Sequence, residues 1–234
     1  MIKSDFDFKK LPDEPGVYRF VGPAGEVLYV GKATSLRDRV KSYFTNDIAE
    51  KRSPLIEKVV RDAVKVEWEE CDSVLDALIL EAKRIREYNP PGNTDLKDNK
   101  SWNYLVVTNE EYPRFLIVRE RVLTETFSPK LIKHLFGPFP NGSALKEALK
   151  IVRRIFPFFD TPFSIAAPGS DLKNGAKGPT LTRAQDKTVR FNQSIGKYPT
   201  FDVEQYKKTV RYLVLLFEAK KKTLLTTIER DMKK

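Results

Sequence analysis

Tyr18 and Tyr29 are the first residues in this chain whose surroundings suggest chemistry. They lie in Gly16-Val17-Tyr18-Arg19-Phe20-Val21 and Val27-Leu28-Tyr29-Val30-Gly31, two runs rich in Val, Tyr and Phe that flank the turn Gly22-Pro23-Ala24-Gly25. Such a pattern predicts a β-hairpin. Alternate strand residues share a face, so the two phenols can stand side by side. On this stretch alone, two core tyrosines are the simpler reading. Two cations follow, Lys32 and Arg39, and both are expected on the side of the tyrosines. The remaining polar candidates are Glu81 and Asn93.

Glu81 is informative because of its helix. Residues 73 to about 88 read as helical, and at about 100° per residue Val74, Leu78, Glu81 and Ile85 fall within one narrow arc. A carboxylate inside an apolar stripe needs a partner. One reading is a salt bridge to Lys32 or Arg39. The other is a metal ligand on a rigid support. Asp76, Lys83, Arg84 and Glu87 are expected to point away. Asn93, in Asn89-Pro90-Pro91-Gly92-Asn93, is either a turn residue or an amide aimed back at the site.

Composition narrows the metal. The chain has one cysteine, Cys71, and one histidine, His134, in an apolar context that suits a structural role. Disulfides within the chain, cysteine-based metal sites and His clusters are excluded. A metal held mainly by oxygen is a hard cation such as Mg²⁺ or Mn²⁺. The 42 Lys and Arg against 32 Asp and Glu give a net charge of +10, which favours a polyanionic partner. With 234 residues, 41% hydrophobic and 32% charged, the chain can bury a core and keep a wet surface. No apolar run reaches membrane-span length, and residues 1–5 lack a signal-peptide core, so a cytoplasmic location is expected.

Further elements must position these groups. Thr34 or Ser35 caps a helix from Leu36 to about Phe44, with Leu36, Val40 and Tyr43 inward. Ser53-Pro54 opens a second, with Leu55, Val59 and Val60 inward. Residues 64–69 alternate as a strand. Residues 104–108 and 115–119 read as strands, and Phe136 to Gly142 as a turn-rich loop. Ser143 caps a helix with the stripe Leu145, Leu149, Val152, Ile155 and Phe156. Pro157 to Thr200 reads as a long loop. Asp202-Val203-Glu204-Gln205 opens a single amphipathic helix to about Met232, with Lys220, Lys221 and Lys222 on a solvated face.

Gly16-Val17-Tyr18 and Tyr29-Val30-Gly31, followed by Lys32, Arg39, Glu81 and Asn93, resemble the GIY-YIG nuclease family. Within it the chain is similar to the N-terminal part of UvrC-type proteins, the incision subunits of bacterial nucleotide excision repair, and to Cho, a shorter homologue. The similarity runs through 11–18, 28–33, 42–44, 80–81, 96–101 and 136–140, and more weakly through 195–197 and the helix from Glu204. It implies an α+β fold: a GIY-YIG domain with a small, mainly antiparallel three-stranded sheet flanked by helices, a second small α/β region and a long C-terminal helix. The expected division is 1–100 for the nuclease domain, 101–157 for a strand and helix extension, 158–201 for a linker and 202–234 for a basic helix.

The resemblance implies a DNA endonuclease that hydrolyses a phosphodiester 3′ of a lesion. Tyr18, Tyr29, Lys32, Arg39, Tyr43 and Asn93 are the catalytic candidates, and Glu81 holds one Mg²⁺ or Mn²⁺ per site. Lys32 is expected to lower a tyrosine pKa. Either Tyr18 or Tyr29 then handles the proton of water, with a slight preference for Tyr29. Arg37, Lys41, Lys97 and Lys100 are candidate DNA contacts. UvrC proteins carry a cysteine cluster before the last helix; the matching stretch here has none, with Tyr198 where one is expected, so no iron–sulfur cluster is expected. DNA and UvrB, with UvrA upstream, are the implied partners. The chain ends about where the helical motif that contacts UvrB would begin, which puts docking through that motif in question. The competing readings are a stand-alone GIY-YIG endonuclease independent of UvrB, and a catalytically silent DNA-binding or scaffold protein.

Overall fold

The structure, a computed structural model, describes residues 8–44, 54–94, 102–160, 183–199 and 202–233. Its contacts separate two units: residues 1–102 with 137–140, and residues 103–136 with 141–234.

The first unit is built on an antiparallel sheet in the order β2-β1-β3, with β1 at Gly16–Val21, β2 at Val27–Ala33 and β3 at Lys65–Glu70. The hairpin turn closes with Gly25 at φ +84°, a conformation that favours glycine. Tyr18 pairs with Gly31 and Phe20 with Tyr29, so Tyr18 and Tyr29 are diagonal neighbours on one face. That face packs with Leu36, Val40, Tyr43, Val59 and Val66. They come from β3, from two short helices, α1 (Leu36–Lys41) and α2 (Pro54–Asp62), and, for Tyr43, from the turn that follows α1. Ser35 is the N-cap of α1, its side chain accepting from the Asp38 N–H, and Ile56 rather than Leu55 or Val60 joins Val59 inside α2.

On the other face Val17 and Val30 meet Ile85 of α3 (Val74–Tyr88). Ser73 caps α3 and Asn89 ends it at φ 42°. Val74, expected in the buried arc, is exposed at the first position of the helix. Arg84 does not simply point away: it pairs with Glu69 of β3 through Nε at 2.8 Å and Nη2 at 2.5 Å, and with Glu87. A bidentate pair of this kind fixes the helix to the sheet with more geometric precision than a single contact. The short helix α4 (Pro91–Thr94) follows. Gly92 is needed there, since a Cβ would lie 2.6 Å from the Leu28 carbonyl oxygen of β2.

A second sheet has the order β5-β4-β6, from β4 (Asn103–Thr108), β5 (Phe115–Arg119) and β6 (Ile132–Phe139); β4, β5 and residues 132–136 of β6 belong to the second unit. β6 runs through the stretch expected as a loop, and α5 (Glu120–Thr126) is a helix that the sequence reading did not include. α6 (Gly142–Ile155) is capped by Asn141, not Ser143; the Asn141 side chain accepts from the Ala144 N–H at 3.0 Å. Leu145, Leu149 and Val152 face inward, but Ile155 is exposed. The stretch expected as a loop contains α7 (Arg183–Ser194). The single C-terminal helix is two, α8 (Val203–Phe217) and α9 (Lys221–Met232), broken where Ala219 adopts φ 58°. Asp202 caps α8 as expected. Buried Phe115, Phe158, Phe159, Tyr198 and Tyr206 form this unit's aromatic core. His134 stacks on Phe136 in β6.

Candidate active site

The tyrosine face of the first sheet carries a connected polar cluster. The hydroxyls of Tyr18 and Tyr43 are 2.6 Å apart. Arg39 Nε donates to the Tyr18 hydroxyl at 3.3 Å, and its guanidinium lies 5.5 Å from the Tyr43 ring centroid. Tyr29 completes the group, its ring 6.3 Å from Tyr18 and 6.4 Å from Tyr43. Tyr18 and Tyr43 are fully buried, whereas Tyr29 keeps part of its surface in solvent. Gly31 makes the arrangement possible. A Cβ there would stand 2.7 Å from Tyr18 Cζ and 2.9 Å from Tyr29 Cε1, so only glycine lets the two rings share this face.

Glu81 and Asn93 sit at the open edge of β2. Since β2 is an edge strand, its outward N–H and C=O groups need partners. Asn93 supplies two: Oδ1 accepts from the Val30 N–H and Nδ2 donates to the Val30 carbonyl, each at 2.8 Å. Glu81 Oε1 accepts from the Lys32 N–H at 2.9 Å. Asn93 is therefore not a plain turn residue, and both ends of its amide are spent on β2. It holds the strand that carries Tyr29 and Gly31. Among the described residues Glu81 makes no ion pair with Lys32 or Arg39, so the salt-bridge reading fails.

The electrostatics correct a second expectation. Burial, then the charges of Tyr29 and Tyr43, push the Tyr18 phenol well above its ordinary value near 10. Burial, then Tyr43 and Glu81, do the same for Tyr29. Neither phenol is lowered by Lys32. Strand alternation explains this: Lys32 pairs with Val17 and belongs to the opposite face from the tyrosines. Its charge acts instead on Glu81. Burial pushes Glu81 up to about 7, against the downward pull of the Lys32 N–H and the charges of Lys32 and Arg39. Burial also works against the charge of Arg39, but the tyrosines around it more than offset this and keep it protonated.

The fit of Glu81 to a metal follows from its bonding. Oε1 is committed to β2, while no hydrogen bond reaches Oε2 among the described residues. No cluster of three or more His, Cys, Asp or Glu able to hold a metal occurs among those residues. One free carboxylate oxygen suits a hard cation that keeps most of its water, and not a metal needing a protein cage.

Of the proposed DNA contacts, Arg37 spends Nε on the Leu11 carbonyl at 3.0 Å, and Lys41 is exposed. Lys97 and Lys100 lie outside the described residues. The steric role of Gly31 escaped the sequence reading, although placing Tyr18 opposite position 31 in the hairpin would have exposed it. Among the described residues no helix is long and apolar enough to cross a membrane.

With this geometry in view, residues 14–94 match the family model of the UvrC-like GIY-YIG domain. The chain is 36% identical over 230 residues to UvrABC system protein C of Desulforudis audaxviator, covering 96% of this chain and 33% of that protein. It is 43% identical over 150 residues to the protein of that name from Carboxydothermus hydrogenoformans, covering 64% of this chain and 23% of the relative. The chain thus spans about a third or less of the length of these curated relatives. Among solved structures it is similar to the GIY-YIG N-terminal endonuclease domain of UvrC from Thermotoga maritima bound to its catalytic divalent cation, magnesium. That match has 31% identity and a TM-score of 0.33, and it covers 37% of this chain and 91% of the other.

Proposed function

Residues 14–94 are a UvrC-like GIY-YIG domain, and from that premise we propose that the chain is a metal-dependent DNA endonuclease of nucleotide excision repair, cutting 3′ of a lesion. The observation that carries this reading is the Tyr29-Tyr43-Tyr18-Arg39 cluster on one sheet face, with the free Glu81 oxygen at the edge of the strand that bears Tyr29. In the reaction a water oxygen bonds to phosphorus, the bond to the 3′ oxygen breaks, and the leaving oxygen takes up a proton. A Mg²⁺ or Mn²⁺ ion on Glu81 Oε2 would supply positive charge to the scissile phosphate and to the leaving oxygen.

Arg39 is the cation for a nonbridging phosphate oxygen, because its guanidinium retains donors beyond the Nε given to Tyr18. Tyr29 is the phenol that meets the water, since Tyr18 has no exposed surface. A phenol with a raised pKa works best if it stays neutral. Tyr29 takes the proton from water and gives its own to solvent on its exposed side, while its hydrogen bond to Tyr43, and through it the Tyr43–Tyr18–Arg39 chain, holds the hydroxyl in place; the leaving oxygen takes its proton from solvent. Lys32 and Asn93 act on the site through Glu81 and β2. Damage selection is assigned to the partner proteins of the UvrABC system, since backbone contacts position a protein on DNA without selecting sequence.

The test is nicking of lesion-bearing duplex with and without UvrA, UvrB and Mg²⁺. Partner-dependent cleavage 3′ of the lesion is expected, and Glu81→Ala is expected to abolish it while circular dichroism stays unchanged. Undiminished cleavage by that variant would refute the metal assignment. Partner-independent cleavage would favour a stand-alone nuclease, and none under any condition a silent DNA-binding protein.

A further inference from the structure

The second unit contains a cavity of about 760 Å³ that the proposed chemistry does not use. Its charged lining is one-sided: Lys146, Lys150, Arg153, Arg154 and Lys197 against the single carboxylate of Asp160. Three of these cations, Lys146, Lys150 and Arg154, lie one turn apart in succession on α6 and are exposed. The opposite stripe of that helix, Leu145, Leu149 and Val152, is buried.

The buried lining of the cavity is internally bonded. Arg153 Nη2 is 2.6 Å from Asp160 Oδ2, and Tyr198 donates to Asp160 Oδ1 at 2.7 Å. The Arg153 guanidinium stacks 4.1 Å from the Phe158 ring centroid. The only acid is therefore already engaged. Arg153 Nε is buried and has no hydrogen-bond partner among the described residues, a donor left for something the protein itself does not supply.

We propose that this basic cavity is a second DNA contact, which takes the phosphates of one strand along α6 while the first unit performs the cut. The proposal rests on the DNA reading above, but not on the nuclease site. Cations one turn apart are separated by about 6 Å along the helix. From residue 146 to 154 they therefore span about 12 Å, which faces three or so phosphates of one strand at about 3.4 Å of axis each. Lys150 lies 3.9 Å from the exposed Glu147 carboxylate, while Lys146 and Arg154 make no ion pair among the described residues; cations so placed around a cavity whose own acid is neutralised suit an anionic ligand. The length of the stripe favours a polyanion over a single phosphate.

The experiment is DNA binding by the full chain without divalent metal, measured by fluorescence anisotropy on a labelled duplex across a salt series. Lys146→Glu/Lys150→Glu is expected to weaken binding at least tenfold at low salt and to lower the log–log salt slope by about 2, the loss of two phosphate contacts. Lys58→Glu/Lys83→Glu, with the same charge change on exposed positions of the first unit, should shift the slope by less than half of that. Lys146→Gln/Lys150→Gln, which removes the charge without reversing it, should show the same slope change, and thermal unfolding checks that each variant is folded. An unchanged slope in both α6 variants, or an equal loss in the Lys58/Lys83 control, would overturn the proposal and leave the cavity to a small anion or an acidic protein. Failure here with nicking intact rejects the second contact alone. Loss of nicking in Glu81→Ala with binding intact tests the nuclease site alone.

Discussion

Gly31 shows how a residue with no side chain decides what two phenols can do. It faces Tyr18 across the hairpin, and the space its Cβ would fill is occupied by the Tyr18 and Tyr29 rings. Gly31→Ala must push Tyr18 away from Tyr43 or bend β2. Overpacking of this kind costs about 1–3 kcal/mol. The expected outcome is a folded protein, less stable by that amount in urea, with nicking reduced at least tenfold because the Tyr18–Tyr43 bond is lost. Gly25→Ala is the contrast. Gly25 has φ +84° and open space around the missing Cβ, so the change costs stability of a similar order but leaves the site intact. Equal nicking by both variants would show that the shared ring face is not needed for the reaction.

At the scale of elements, what could be read from the chain followed from periodicity and caps. Ser35, Ser73 and Asp202 announced α1, α3 and α8, and the Val-, Tyr- and Phe-rich runs announced the hairpin. The site was legible as far as the shared face of Tyr18 and Tyr29 and the inward turn of Glu81, each of which follows from local spacing. The partner of Glu81 was not, because it is the edge of a strand forty-nine residues away in sequence. The face of Lys32 was misjudged by ignoring the period of two that had placed Tyr29 correctly. β6 was hidden by Gly137-Pro138 inside a strand, and α7 by its polar sequence. The break between α8 and α9 has neither glycine nor proline; Ala219 takes the left-handed position, and the Lys220 N–H reaches back to the Leu215 carbonyl at 2.9 Å. An L-residue in that conformation costs about 1–2 kcal/mol, and glycine returns about 0.5–1 of it as unfolded-state entropy. Ala219→Gly should therefore stabilise the protein by a few tenths to about 1 kcal/mol in equilibrium denaturation. A destabilised variant would mean that the two helices do not part at this residue.

For the whole molecule, the excess of 42 basic over 32 acidic residues makes the few committed carboxylates matter for acid stability. In the first unit Glu67 is held below its ordinary value by hydrogen bonds from Lys65 and Arg19, which outweigh its slight burial. In the second, burial pushes Asp160 upward, but the bonds from Arg153 and Tyr198 win and the net shift is downward. The sign follows from linkage. A carboxyl with a depressed folded pKa adds stability above its unfolded value, about 3.9 for Asp, and that stability disappears as the pH falls through the folded value. Asp160→Asn removes the charge that Arg153 faces while keeping the shape. Wild type should therefore be more stable than Asp160→Asn at pH 7, and the difference should shrink below about pH 4. Paired urea titrations of the two proteins at pH 7, 5, 4 and 3 measure it. A gap that stays constant across that range would mean that Asp160 contributes as a neutral hydrogen-bonding group, and that Arg153 is held by its ring contacts instead.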